Sequence, residues 1–173
     1  MRHGESEYNR DDKWAGSSDT LLTPKGRKQA AEAGKLAREQ GLVFDVIVSS
    51  PLKRAHHTAQ HIAEELDYPH EQIILNPKLV ERHFGKLEGK KDLVASAKYL
   101  LDEKAVEPYG AEKLTDLHSR AESVLEELNR LPHKSILIVS HGSFGRALRR
   151  AVNKQPLEHR GDRIKNAEMI KLQ

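Results

Sequence analysis

Residues 135–143 read SILIVSHGS, and residues 45–54 read DVIVSSPLKR. Each starts as a short β-branched apolar run, ends in small serines and passes straight into a helical pattern. Such runs, bounded by turn signals, predict buried strands. The stretches that follow, SPLKRAHHTAQHIAEEL at 50–66 and SFGRALRRAV at 143–152, carry apolar residues at three- and four-residue spacing, as helices do. Two more runs, QIILN at 72–76 and NAEMIKLQ at 166–173, are further strand candidates. TPKGRKQAAEAGKLAREQG at 23–41 predicts a helix with Thr23 as N-cap, Pro24 at its first position and Gly41 as its stop. LTDLHSRAESVLEELNRL at 114–131 predicts another. Strands alternating with helices imply an α/β fold with a mostly parallel sheet. Ligands of such sheets sit at the carboxyl ends of the strands, where SSPLKR and SHGS lie.

The chain has 173 residues, enough for one domain with a real core, and a single domain over 1–173 is expected. Its least regular stretch, residues 86–113, predicts a lid or an insertion. Lys and Arg number 29 against 26 Asp and Glu, a net charge of +3. That excess suits one anion site better than a nucleic-acid footprint, which needs a dense basic face. Aromatics are 5%, too few for a base-stacking surface. There is no cysteine, which excludes disulfides, thiolate metal sites and a cysteine nucleophile. No apolar run reaches the ~18 residues of a membrane span. No leader-like segment precedes the charged start, so a cytoplasmic location is expected.

Three strand exits carry the chemistry. SHGS supplies His141 and Gly142, where a helix start offers free N–H groups to an anion. SSPLKR supplies Arg54, one turn into its helix, and MRHG supplies Arg2 and His3 before a glycine. Taken singly, each has a plain reading: a histidine at a strand end, a solvated arginine. Gathered at one edge, two guanidiniums and two imidazoles make a pocket for a dianion, in which a neutral imidazole can attack phosphorus. A proton donor for the leaving oxygen is needed too, and ERHFGKLEG at 81–89 offers Glu81 and Glu88. Ten histidines raise the question of a metal. The motif HExxH is absent, and the one pair at i, i+4 is His57 with His61, so no metal site is expected.

RHGES at 2–6, Asn9, W-x-G-x-x-D at 14–19, LT at 22–23 with Gly26, SSPLKRAHHTA, ERHFGKLEG and SHGSFGRAL, in this order, resemble the histidine phosphatase superfamily, also called the phosphoglycerate mutase-like family. The resemblance covers nearly the whole chain. It implies a three-layer α/β/α fold. It implies that His3 is the nucleophile and is phosphorylated on a ring nitrogen, that Arg2, Arg54 and His141 hold the phosphoryl group with help from Asn9, and that Glu81 is the proton donor. The amide of Gly142 would add a donor. No cofactor or metal is implied. The partner is a small phosphorylated substrate, with neither nucleic acid nor membrane, and a homodimer is open.

In the family a hydrophobic strand delivers RHG. Here only Met1 precedes Arg2, and one residue makes no strand. That first strand is expected to be missing, which would leave His3 without its anchor and activity weak or absent unless another segment fills the slot. Two enzyme readings compete. The stretch after ERHFG is short and lacks paired arginines, and PYGAEKLTDLHSR at 108–120 resembles the small phosphatases, which favours hydrolysis of a phosphomonoester. A cofactor-dependent phosphoglycerate mutase is the alternative, and a non-catalytic phosphate-binding protein the second. Trp14, Ser17, Ser18 and Phe84 are expected near the mouth of the site.

Overall fold

The computed structural model describes all residues except Glu158, Arg160 and Gln173. In chain order the elements are α1 (Glu7–Arg10), α2 (Pro24–Glu39), β1 (Val46–Ser49), α3 (Lys53–Glu65), β2 (Ile74–Leu75), α4 (Leu93–Leu101), α5 (Leu114–Asn129), β3 (Ile136–Val139) and α6 (Gly142–Val152). The three strands are parallel in the order β2-β1-β3, with Val46 opposite Ile136 and Ser49 opposite Val139. Helices cover both faces of this small sheet.

Alternation along β1 explains the layering. Val46 and Val48 face one way, into a core shared with Leu117, Ala121 and Val124 of α5 and Phe144, Ala147 and Leu148 of α6. Ile47 faces the other way, with Leu137 and Val139, into Ala55, Ala59, Ile62 and Ala63 of α3. Every residue of β1 is therefore buried, as a central parallel strand requires. Thr23 caps α2 by accepting from Gly26 N, with Pro24 at the first position, as its sequence predicts.

Two strand expectations need correction. Over 72–76 only Ile74 and Leu75 pair with β1, because His70–Gln72 coils into a 3-10 turn and Asn76 caps the next one. Over 166–172 there is no strand, and Gln173 lies outside the described residues. The reason is a turn: Ala167 adopts φ +56°, and Glu168 N donates to Lys165 O, which ends the extended run.

The start of the chain is not loose. Ser140 N donates to Met1 O, and His3 N donates to Ser140 O at 2.9 Å, a parallel bridge that continues the edge of β3. On the other side His3 O accepts from Ala167 N at 3.1 Å and from Asn166 Nδ2 at 3.1 Å. His3 is thus anchored on both sides, contrary to the loss of anchor expected from the sequence. Residues 86–113 hold α4 and a 3-10 stretch, Glu103–Tyr109. Their Leu87, Ala95, Tyr99, Val106 and Ala111 form a separate core together with Phe84. Among the described residues no helix is long and apolar enough to cross a membrane.

Candidate active site

Three backbone exits meet at the carboxyl edge of the sheet: residues 2–4, the Ser49–Ser50 exit of β1 and the Ser140–His141 exit of β3. Thr58 locks the first to the second. Its hydroxyl accepts from Gly4 N at 3.0 Å and donates to Arg54 O at 2.7 Å.

His3 is 3% exposed. Its Nδ1 lies 2.6 Å from Gly4 O, and a carbonyl can only accept, so Nδ1 carries the hydrogen. Nε2 therefore presents its lone pair, which takes a hydrogen bond from Arg54 Nε at 3.2 Å. Burial, then the charges of Arg54 and Arg2, hold the ring well below the ordinary 6.5. It is a neutral imidazole with its lone pair on the inner nitrogen, facing Arg54.

Arg54 is fully buried, and its two terminal nitrogens donate to Ser18 O and Gly16 O, both at 2.7 Å. Burial lowers its pKa, and the carboxylates of Glu81, Asp19 and Glu88 oppose that shift. Arg2 donates to Ile164 O at 2.9 Å, while its Nε has no partner among the described residues. Burial lowers Arg2 to about 10, against the pull of Glu81, so it stays charged at neutral pH. His141 stands edge-on to His3, with ring centroids 5.1 Å apart. Its Nε2 is 2.8 Å from Ser50 Oγ, and its buried Nδ1 has no partner among the described residues. Burial, Arg54 and His3 hold His141 neutral as well.

Glu81 sits on the N-terminus of α6. Its carboxylate accepts from Ser143 N at 3.1 Å, Phe144 N at 3.0 Å and Arg82 N at 2.8 Å. The first two are orphan donors at the start of α6, where negative charge is favoured. Gly142 lies between the groups: a Cβ built on it would be 3.6 Å from both Arg2 Nε and Glu81 Oε2. The site thus holds two buried donor-capable nitrogens without a partner among the described residues, Arg2 Nε and His141 Nδ1, a carboxyl at its rim and an imidazole lone pair that faces Arg54. That set can bind a dianion and attack it.

Asn9 lies one step behind. Its Oδ1 accepts from Ser6 N at 3.2 Å in a capping box and from Asn166 Nδ2 at 3.1 Å, which leaves its own Nδ2 to donate elsewhere. Of the mouth residues expected from the sequence, Trp14 and Phe84 are elsewhere. Their rings stack edge-on at 4.7 Å, with Tyr99 beside both, as part of the core under α4. Ser17 does line an open cavity of about 510 Å³ next to Glu81, with His83, Lys113, Asp116 and Arg120. Glu88, the other acid weighed as proton donor, is turned away onto Ser17 and Ser18. The structure adds Ser50, Thr58 and Asn166 to these residues. The first two lie inside SSPLKRAHHTA, where their hydroxyls could have been weighed, whereas nothing local marked Asn166. Among the described residues no group of three His, Cys, Asp or Glu could hold a metal ion.

The chain resembles known proteins over most of its length. A 2,3-bisphosphoglycerate-dependent phosphoglycerate mutase of Bartonella bacilliformis is 36% identical over 159 residues, 86% of this chain and 77% of the relative. A putative α-ribazole-5'-P phosphatase of Escherichia coli superposes with TM-score 0.81 at 27% identity, over 96% of this chain and 84% of that one. A mycobacterial glucosyl-3-phosphoglycerate phosphatase, solved with VO3, gives TM-score 0.80 at 27% identity, over 96% and 85%. The family model of the histidine phosphatase superfamily, branch 1, matches residues 1–173, and the chain belongs to that superfamily.

Proposed function

We propose that the chain hydrolyses phosphomonoesters of small molecules through a phosphohistidine on His3. The observation that carries this is the tautomer: Nδ1 is tied to Gly4 O, so the nucleophilic lone pair lies on Nε2 inside the anion pocket. His3 Nε2 attacks phosphorus and the bond from phosphorus to the leaving oxygen breaks, while the Glu81 carboxyl gives that oxygen its proton. Water then attacks the phosphohistidine, the P–N bond breaks with its electron pair returning to Nε2, and Glu81 takes the proton from water. Arg2, Arg54, His141 and the Gly142 amide hold the transferring oxygens, with Asn9 helping from one step behind. A cytoplasmic location is part of the same reading, since charged phosphoesters do not cross membranes unaided.

A mutase is the second reading, favoured by the Bartonella relative. A mutase must hold a second anionic group beside the reacting phosphate. The cavity beyond Glu81 offers little for that. Arg120 is consumed by Glu112 at 3.0 and 2.8 Å and by the carbonyls of Lys78 and Val80. Lys113 and His83 remain. This supports hydrolysis.

The test is trapping. The chain is mixed with a generic phosphomonoester, quenched under denaturing but non-acidic conditions and digested. A phosphoryl group on the peptide containing His3, absent from His3→Ala, is the expected result. Glu81→Gln should slow a poor leaving group more than p-nitrophenol. No adduct, with orthophosphate still bound, would turn the reading into a non-catalytic phosphate-binding protein. Conversion of 3-phosphoglycerate to 2-phosphoglycerate with little phosphate release would make the mutase the right reading.

A further inference from the structure

Glu88 contacts none of the groups that face the anion pocket, yet its carboxylate is the most heavily bonded in the neighbourhood. Its Oε1 accepts from Phe84 N at 2.9 Å, Ser17 N at 3.0 Å and Ser17 Oγ at 3.1 Å. Its Oε2 accepts from Ser18 N at 3.0 Å and Ser18 Oγ at 2.8 Å. Burial works against its charged form, but the hydrogen bonds from Phe84, Ser17 and Ser18 outweigh burial and hold its pKa below the usual carboxylate range. It is a carboxylate with its lone pairs spent, which is why it is not the proton donor.

What it holds matters more. Ser17 and Ser18 belong to the turn at residues 16–18. The carbonyls of Gly16 and Ser18 take the two terminal nitrogens of Arg54, each at 2.7 Å. Arg54 Nε in turn donates to His3 Nε2. Gly16 adopts φ +51°, and a Cβ there would lie 2.0 Å from Glu88 Oε1, so the turn closes onto the carboxylate with no room for a side chain. Lys53 N, bonded to Asp19 at 2.8 Å, ties the far end of the same turn to α3.

We propose that Glu88 is a positioning residue for phosphoryl transfer: it fixes the turn at 16–18, whose two carbonyls set the plane of the Arg54 guanidinium against His3. The proposal rests on the reading of His3 as nucleophile, but its first consequence, the set of Arg54, can be read by anion binding alone. A planar guanidinium grips phosphate only in register, and a small misplacement costs far more than its size suggests.

The experiment is a double-mutant cycle on the full chain, with Glu88→Gln, Arg54→Ala and the pair. Gln keeps the size but presents an NH2 to donors that need an acceptor. Two quantities are read: kcat/KM for a phosphomonoester across pH, and the Kd of orthophosphate by titration. Glu88→Gln alone should lower kcat/KM and weaken orthophosphate by about 10- to 100-fold. It should also move the acid limb of the profile upward, because Arg54 then depresses His3 less. In the Arg54→Ala background the same substitution should change kcat/KM and Kd by less than about twofold and leave the acid limb in place, since its effect runs through a residue already removed. Equal losses in both backgrounds would overturn the proposal, as would a Glu88→Gln protein that matches the parent in both quantities. If Glu88→Gln does not fold, the pair Ser17→Ala and Ser18→Ala removes two hydroxyl donors and keeps the backbone ones, and the same cycle applies. If the parent itself shows no turnover, the function fails, and orthophosphate binding still decides the role of Glu88.

Discussion

Glu103 is the sharpest place to test how this fold holds together. It is buried between two buried arginines: Oε1 meets Arg146 at 2.5 Å and Oε2 meets Arg150 at 2.8 Å. Arg146 reaches on to Tyr99 Oη at 2.8 Å, and Tyr99 Oη to Ser143 Oγ at 2.9 Å. Glu103→Gln removes the negative charge and keeps the volume. Its amide NH2 would face guanidinium N–H groups, donor against donor. Removing one partner of a buried ion pair costs about 3–5 kcal/mol, because the charge left behind is uncompensated. For a chain of this size that is a fall in Tm of about 6–20 °C. The pH dependence makes the test specific. Burial alone would raise the Glu103 pKa, but Arg146 and Arg150 outweigh it, so the folded value lies below the usual one. The stabilisation is then complete above the unfolded value of about 4.3 and is lost as pH falls through the folded one. Urea unfolding of both proteins should show the full gap at pH 7 and a shrinking gap below about pH 4. A gap under about 1 kcal/mol at pH 7, or one that does not shrink in acid, would refute the reasoning.

Three further outcomes follow from named contacts. The neutral state of His3 places the acid limb of kcat/KM below its ordinary 6.5, because burial, Arg54 and Arg2 all resist protonation; a limb above that value in a pH–rate profile would contradict the electrostatics. Ser50→Ala frees His141 Nε2 from its 2.8 Å partner and should lower kcat by about 5- to 30-fold, the value of one hydrogen bond of 1–2 kcal/mol. Tm should fall too, since Ser50 Oγ also accepts from Leu52 N and a buried imidazole nitrogen is left unpaired, and an unchanged kcat would refute the role of this contact. Gly26→Ala should destabilise by about 1–3 kcal/mol in chemical denaturation, since a Cβ there would lie 2.0 Å from the Glu5 carbonyl oxygen, and an unchanged midpoint would show that the loop yields easily.

The strand exits were readable in advance because each is a local signal. An apolar run, a small residue and a helix start lie within ten residues of one another at 45–54 and at 135–143, and parallel-sheet geometry then requires their ends to meet. What eluded such reading depends on distant partners. Glu81 and Glu88 sit in one nine-residue motif and look interchangeable. Their roles differ because one meets the N-terminus of α6, 62 residues on, and the other meets Ser17, 71 residues back. Asn166 is the same kind of case. It lies in a run that alternates like a strand, yet a turn at Ala167 breaks the run and sends the amide to His3 O and Asn9. The sequence places Trp14 and Phe84 near the mouth of the site, through the motifs that flank them. The apolar surface of α4 claimed them first, since burying two large rings there stabilises the segment as no exposed position could.

The charges of the pocket can be summed once the imidazoles are known to be neutral. Arg2 and Arg54 are positive and Glu81 supplies one carboxyl, while His3 and His141 contribute no charge at neutral pH. A phosphomonoester dianion seated among them brings two negative charges against two positive ones. Glu81 faces the same pocket from the N-terminus of α6, with Gly142 between it and Arg2. Glu81→Gln leaves both arginines in place and, on the proposed mechanism, removes the proton that the leaving oxygen needs, so substrate binding should survive while the departure of a poor leaving group fails.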